Sequence, residues 1–152
     1  MSESIDLTTT DDPSARKDLI RRLAAAPPER WRVSLLLPTH RTGAQVRQDR
    51  IRLRNLLDEA QAQLEHVPGG SRRGDEAMLE PARALVDDDS FWNDQKGGLA
   101  VFLDHEGMRS LRLPDELTER CVVNERFHVK PLLPRLRGDR EFYVLALSRN
   151  HV

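Results

Sequence analysis

The sequence is poor in cysteine and in aromatic residues, and neither sign of charge predominates. Cys121 is the single cysteine among 152 residues, which excludes a disulfide within the chain and a cysteine-based zinc cluster. Lysine and arginine total 24 and aspartate and glutamate total 25, so the formal net charge is -1. This balance gives no global argument for nucleic-acid binding, and any such function must rest on local clusters of basic residues.

Several catalytic and ligand-binding patterns are also missing. None of the five histidines has a partner at metal-ligand spacing, and no nucleophile elbow, Walker or dinucleotide-binding glycine pattern is present. The run Asp87-Asp88-Asp89 lacks the alternating ligands of a calcium loop. We expect this run to end one helix and Ser90 to cap the next. The sequence therefore predicts a protein that is not an enzyme, with no cofactor and no metal.

The beginning of the chain lacks the features of a secretory signal. Residues 1–14 are acidic and rich in hydroxyl side chains, without a basic start or an apolar run. No apolar stretch approaches the length of a membrane span. The apolar setting of Cys121 favours a buried structural thiol, which suits a reducing compartment. We expect a soluble cytoplasmic protein with no membrane partner.

Hydrophobic periodicity predicts three helices and a strand in the first part of the chain. Residues 1–12 are expected to be a flexible segment, followed by a helix that starts at Asp12-Pro13-Ser14 and ends at Pro27-Pro28. The run Arg32–Pro38 has the length and flanks of a buried strand. Val46–Leu64 carries the strongest helical stripe in the chain, and Ala77–Asp87 is expected to form a second helix of this type.

The second half of the chain is dominated by strand patterns. Strands are predicted over residues 98–103, 108–113 and 120–124, with a hairpin joining the first two. Phe127–Arg137 is expected to be mostly helical. The predicted fold class is α+β, in which residues 32–38 join these strands in a mixed sheet with the helices packed on one face.

A last apolar run, Glu141–Ser148, has the pattern of a buried strand close to Val152. A strand this hydrophobic needs partners on both sides. We therefore expect the chain to be the front part of a longer protein. An edge strand at a natural C-terminus is the alternative.

The arginine-rich first half of the long helix is the best candidate for a functional surface. Arg47, Arg50 and Arg54 are three or four residues apart and share one helical face. Guanidinium groups bind phosphate bidentately, so several on one helix can meet a ribose-phosphate backbone. The predicted RNA-contacting residues are His40, Arg41, Arg47, Arg50 and Arg54.

The order of charges along this helix opposes its dipole, because arginines come first and acidic residues such as Asp58, Glu59 and Glu65 come later. A broken local rule of this kind can mark function. The plainer alternative is a solvated helix surface with local ion pairs, for example between Asp58 and Arg54.

Three segments, taken in order, resemble the N-terminal domain of archaeal and eukaryotic class-one release factors and Pelota. The first is Val33–Arg41, a strand ending in proline that leads into the arginine-rich helix. The central strand is Gly98–Leu103. The third is Asn124–Leu133, which contains Arg-Phe-His and is followed by Phe142–Ser148. The similarity is greatest to the bacterial branch of this superfamily and covers residues from about 16 to 152.

The resemblance implies a release-factor-like N-terminal domain over residues 13–140. Residues 141–152 would then be the first strand of a following RNase H-like middle domain. Phe127, His128 and Lys130 become candidates for a domain junction. The implied partner is the ribosome with its rRNA, and a translational GTPase is a further candidate, whereas no contact with DNA is implied. The oligomeric state is not predicted.

The sequence departs from the family at the motifs that read stop codons and release the peptide. Ala44–Gln48 stands where release factors have Asn-Ile-Lys-Ser, and Cys121–Phe127 keeps only the phenylalanine of Tyr-x-Cys-x-x-x-Phe. The Gly-Gly-Gln motif is absent, since Gly97-Gly98 continues into Leu99. We therefore expect a module of a translation rescue or ribosome hibernation factor that contacts rRNA near the decoding site without reading a stop codon.

Two other functions stay open at this point. One is a protein-interaction or regulatory domain that acts in stress responses without contacting RNA. The other is that a longer parent protein is a nuclease or hydrolase through its middle domain, of which this chain would carry no catalytic residue.

Overall fold

The computed structural model describes residues 6–10, 13–28 and 30–136, which form an α+β fold around one mixed sheet. The elements in chain order are β1 (Asp6–Thr10), α1 (Pro13–Ala25), β2 (Arg32–Pro38), α2 (Gly43–Leu64), α3 (Arg72–Val86), α4 (Asp89–Asn93), β3 (Gly98–Asp104), β4 (Gly107–Leu113), β5 (Arg120–Asn124) and a 3-10 helix (Lys130–Leu136). The strand order is β1-β4-β3-β2-β5. β1 is parallel to β4, and the other neighbours are antiparallel. The predicted α+β class is confirmed. The four predicted strands, β2 to β5, all belong to the sheet and pair antiparallel with one another, and it is β1, which was not predicted, that makes the sheet mixed.

The centre of the sheet is apolar on both faces. β2 and β3 pair so that Leu35 lies opposite Val101 and Leu36 lies opposite Ala100. Successive residues of a strand point to opposite faces, so Leu35 and Val101 join one core cluster while Leu36 and Ala100 join another. Near-continuous apolar strands are those that are covered on both faces.

α2 and α3 cover the first face of the sheet. α2 buries Leu53, Leu56 and Leu57 together with residues one and two turns further along, which is the spacing of one helical face. These side chains pack with Leu35 and Val101 of the sheet in one cluster. α4 adds Trp92, which is almost fully buried in the same cluster.

α1 covers the opposite face, so the prediction that the helices pack on one face is wrong. Leu19, Ile20 and Leu23 of α1 are buried in the cluster that contains Leu36 and Phe102. The physical reason is the pattern noted above: the inward-facing residues of β2 and β3 on this side are apolar and need their own cover.

The expected flexible segment over residues 1–12 contains a strand. Asp6–Thr10 pairs in parallel with Gly107–Leu111 and forms one edge of the sheet. Its run of threonines has β-propensity, and the exposed edge of β4 supplies the hydrogen-bonding partner. The predicted strand at Glu141–Ser148 lies outside the described residues.

Several elements differ from the sequence-based expectation, and α2 begins at Gly43 rather than at Val46. α3 begins at Arg72 rather than at Ala77, because Ser71 caps it: its Oγ accepts from the N–H of Gly74 at 3.1 Å. Asp88 rather than Ser90 caps α4. The segment after Phe127 is a 3-10 helix rather than an α-helix. None of the helices in the described ranges is long and apolar enough to cross a bilayer.

Candidate nucleic-acid interface

A buried carboxylate on α2 organises the loop between β2 and α2. Asp49 is fully buried, and its Oδ2 accepts from the backbone N–H of His40 at 2.7 Å. Its Oδ1 lies 2.9 Å from His40 Nδ1 and accepts from Arg52 Nη1 at 3.0 Å. Because Nδ1 is engaged by Asp49, Nε2 is the ring atom of His40 that remains for an external hydrogen bond.

Three of the five predicted RNA-contacting residues line one groove. Arg41, Arg47 and Arg50 border a groove of about 250 Å³, and the almost fully buried Trp92 of α4 is also among its lining residues. The indole is held in place by a hydrogen bond from Nε1 to the carbonyl oxygen of Leu85 at 2.6 Å. The groove therefore combines three guanidinium groups with the edge of a fixed core side chain.

The beginning of α2 opens onto the same groove. Gly43, the first residue of α2, is one of the lining residues, and an added Cβ there would meet no atom within 4 Å. The N-cap residue Thr42 makes no capping hydrogen bond, because its hydroxyl donates to Gln45 Oε1 at 2.7 Å. The first backbone N–H groups of α2 thus lack a side-chain acceptor and add positive potential to that of the arginines.

Local ion pairing accounts for one arginine of the cluster. Arg50 Nη2 lies 2.5 Å from Asp89 Oδ1, and the aspartate is well exposed. The guanidinium groups of Arg41, Arg47 and Arg54 form no hydrogen bond or ion pair with any group of the described residues. The alternative pairing of Asp58 with Arg54 does not occur.

Asp58 instead lies 3.1 Å from Arg83 of α3. Arg54 follows one turn after Arg50 and is exposed, but it does not line the groove. His40 lies next to the same region, because its Nδ1 contacts the carboxylate of Asp49 on α2. The structure therefore groups Arg41, Arg47 and Arg50, places His40 and Arg54 beside them, and adds Trp92, which the sequence analysis did not select.

The predicted junction residues lie away from this groove, on the α1 side of the sheet. Phe127 is buried and packs edge-to-face on Phe102 with ring centroids 5.6 Å apart. The guanidinium carbons of Arg32 and Arg109 lie 4.9 and 5.4 Å from the Phe127 ring centroid. Phe127 is therefore a core residue whose ring lies close to two cations.

His128 and Lys130 follow Phe127 near the surface. The backbone N–H of His128 donates to Ser34 Oγ at 2.8 Å, which ties the segment to β2. Burial, with the nearby charges of Arg120 and Lys130, lowers the pKa of His128 below its usual value. Lys130 is exposed.

The environment of the single cysteine disfavours nucleophilic chemistry. Cys121 is half-buried on β5, and burial, together with the charge of Glu59, raises the pKa of its thiol to about 12. A thiol with so high a pKa is almost wholly protonated at neutral pH and reacts slowly. Among the described residues, no group of three histidine, cysteine, aspartate or glutamate side chains is placed to hold a metal ion.

The sequence matches no protein-family model and no curated protein. The function of the protein therefore has to be inferred from the geometry of the groove. The resemblance of the sequence motifs to release factors stays an expectation.

Proposed function

We propose that this protein is a ribosome-associated module of a translation rescue or hibernation factor, and that the arginines at the start of α2 contact rRNA near the decoding site. The observation that carries the proposal is the groove at Arg41, Arg47 and Arg50, which concentrates positive charge in a chain whose formal net charge is -1. A local cluster of this kind is the electrostatic footprint expected of a phosphate-binding surface.

The energetics of the groove favour a polyanionic partner. Guanidinium groups that share a groove repel one another, and only Arg50 is neutralised by an acidic neighbour. A phosphate backbone would relieve this repulsion and accept bidentate hydrogen bonds from the same groups. The open first turn of α2 would donate backbone N–H groups to the same ligand.

The likeness to release factors suggests which polyanion this is. The strand that ends at Pro38 and the long arginine-rich helix after it are the elements that carry the likeness, and they are β2 and α2. The stop-codon and Gly-Gly-Gln motifs are not present in the sequence. The proposed role is therefore occupancy of a vacant or stalled decoding site, in which this chain binds and performs no hydrolysis.

Co-sedimentation with purified bacterial ribosomes across a salt series tests the proposal. The test variant carries Arg41→Ala, Arg47→Ala and Arg54→Ala, three exposed residues without an ion pair among the described residues. Its loss of function would therefore not reflect a broken structural contact. The control variant removes the same charge from other exposed arginines, at Arg73, Arg120 and Arg126.

Three phosphate contacts predict that the logarithm of the affinity falls with the logarithm of salt concentration with a slope of roughly −2. The test variant removes two of the three groove arginines and keeps Arg50, so about two thirds of this slope should be lost, and the control should retain it. An equal loss of slope in both variants would mean that ribosome binding depends on total charge and not on the position of the arginines. Absence of ribosome binding at low salt would reject the proposal.

One observation favours the alternative of a protein-interaction domain. Ile51 of α2 is 37% exposed, the only large hydrophobic side chain so exposed in the described part of the chain, and it lies between Arg47 and Arg54. Arginines beside an apolar side chain are typical of protein interfaces as well. If Ile51→Ser weakens ribosome binding more than the arginine variant, and salt has little effect, a protein surface is the partner.

A further inference from the structure

A second cleft lies at the opposite end of α2. It has a volume of about 160 Å³ and is bordered by the segment before β2, the end of α2, the start of α3 and the hairpin between β3 and β4. Leu64 forms part of its floor, whereas Val46 lines the arginine groove. At 1.5 Å per residue, these two residues are roughly 27 Å apart along the helix axis. The two sites are therefore separate.

A carboxylate without a partner lies in this cleft. Asp75 in the first turns of α3 is 7% exposed, and its side chain makes no hydrogen bond or ion pair within the described residues. Its backbone is fixed, because the N–H of Asp75 donates to the carbonyl oxygen of Ser71 at 2.8 Å. Burial raises the pKa of the Asp75 carboxyl, an effect opposed by the nearby charge of His105 and increased by that of Glu65.

The absence of a side chain at Gly70 leaves the carboxylate reachable. A Cβ on Gly70 would lie 3.6 Å from Asp75 Oδ2 and 3.7 Å from Oδ1. Glycine therefore keeps open the space directly beside both carboxylate oxygens.

The rest of the lining is mixed, because the basic side chains of Arg30 and His105 border the cleft together with three apolar or aromatic side chains. The charges that act on the Asp75 carboxyl are those of His105 and Glu65, and Arg30 is not one of them.

Trp31, Leu64 and Met78 line the cleft, and Trp31 is fixed by a hydrogen bond from its Nε1 to the carbonyl oxygen of Pro68 at 3.0 Å. A buried carboxylate that lacks a hydrogen-bond donor is costly to the fold. A carboxylate, an indole ring and a thioether around one small volume are the groups that recognise an organic cation.

We propose that this cleft binds a guanidinium or ammonium head group, which donates hydrogen bonds to Asp75 while its apolar stem packs on Trp31 and Met78. The head group belongs either to a free small cation or to an arginine or lysine side chain of a partner polypeptide. The proposal is independent of rRNA binding at the arginine groove, since the two sites lie at opposite ends of α2.

The two tryptophans give each site its own signal. Trp31 lines the cleft at Asp75, and Trp92 lines the arginine groove. The indole N–H resonances of the ¹⁵N-labelled full chain are therefore followed during titration with methylguanidinium chloride. A second titration uses an acetylated, amidated Gly-Arg-Gly peptide, and tetramethylammonium chloride serves as a cation without N–H donors.

Both N–H-bearing probes should shift the Trp31 signal saturably and leave the Trp92 signal in place. The variant Asp75→Asn should weaken binding about tenfold or more, because hydrogen bonds to a charged group contribute more than those to a neutral amide. Asp87→Asn, which removes the same charge from an exposed position at the end of α3, should bind as the unmodified protein does. Tighter binding of the peptide than of methylguanidinium assigns the site to a polypeptide side chain, and equal binding assigns it to a free cation.

A second variant tests access to the carboxylate without changing charge. Gly70→Ala places a methyl group beside both oxygens and should also weaken binding. No saturable shift of Trp31 with either N–H-bearing probe would overturn the proposal. An undiminished affinity in Asp75→Asn, or equal binding of tetramethylammonium, would overturn it as well.

Discussion

The buried ionic network around Phe127 provides the sharpest test of how this fold is held together. Asp104 at the end of β3 is buried, and its Oδ2 lies 3.5 Å from Arg32 Nε and 3.2 Å from Arg109 Nη2. Both arginines are also buried and lie close to the ring of Phe127. Asp104→Ala would leave two guanidinium groups in the protein interior without their shared counter-charge.

Removing one partner of a buried ion pair costs about 3–5 kcal/mol, because the remaining charge is left uncompensated. For a chain of this length, each kcal/mol lowers the melting temperature by roughly 2–4 °C, so we expect a decrease of about 6–20 °C. Urea and thermal unfolding followed by circular dichroism measure the change. The substitution should destabilise the α1 side of the sheet, where the buried Phe127 anchors the segment that leads to His128.

Two further variants isolate the charge from other effects. Asp104→Asn keeps the side-chain volume and the Oδ1 acceptor for the N–H of Glu106, so it should show most of the loss if charge is the cause. Asp18→Ala removes an exposed ion pair with Arg22 and should cost less than about 1 kcal/mol. A loss below 1 kcal/mol for Asp104→Ala would refute the view that this network stabilises the fold.

Three other predictions concern single side chains. Cys121 should be alkylated by iodoacetamide at pH 8 far more slowly than a free cysteine, since with a pKa of about 12 its thiolate fraction is roughly one in ten thousand. The ordinary pKa of a cysteine thiol is 9.0, so the free energy of unfolding should also decrease as pH rises above 9.0. The substitution Cys121→Ser should remove this pH dependence. Asp75→Asn should raise the free energy of unfolding at pH 7 by about 0.5–2 kcal/mol. Because the pKa of Asp75 is raised, the folded state favours the protonated carboxyl, and the stability gained by Asp75→Asn should become smaller as pH falls. A lower free energy of unfolding for Asp75→Asn at pH 7 would contradict this prediction. Leu57→Ala should cost about 2–5 kcal/mol in urea unfolding and the exposed Ile51→Ala much less, so equal costs would contradict the observed face of α2.

The elements that sequence reasoning located are those with strong local patterns. β2 is a seven-residue, mostly apolar strand that ends at Pro38, and α2 carries an apolar stripe over several turns. The strand β1 could not be found this way, because Asp6–Thr10 contains a single apolar residue and takes its conformation from the edge of β4. α1 has a helical stripe too, but no local pattern specifies which face of the sheet it covers.

The sites were predictable to a smaller extent. Spacing along α2 was enough to group Arg47 with Arg50. The presence of Trp92 in the lining of the groove could not be predicted from the spacing of the arginines, since it lies more than forty residues further along the chain. The cleft at Asp75 was missed for the same reason: its Trp31 and Asp75 are brought together only by the packing of α2, α3 and the hairpin.

The reversed order of charges along α2 has a consequence for how a long ligand would lie. The helix has no acidic residue in its first turn and no basic residue in its last, and its second half carries Asp58 and Glu59. An RNA strand running parallel to the helix axis would be attracted at one end and repelled at the other. The lowest-energy path for such a strand is to cross α2 near its beginning and turn away. The proposed RNA contact would then be confined to the beginning of α2.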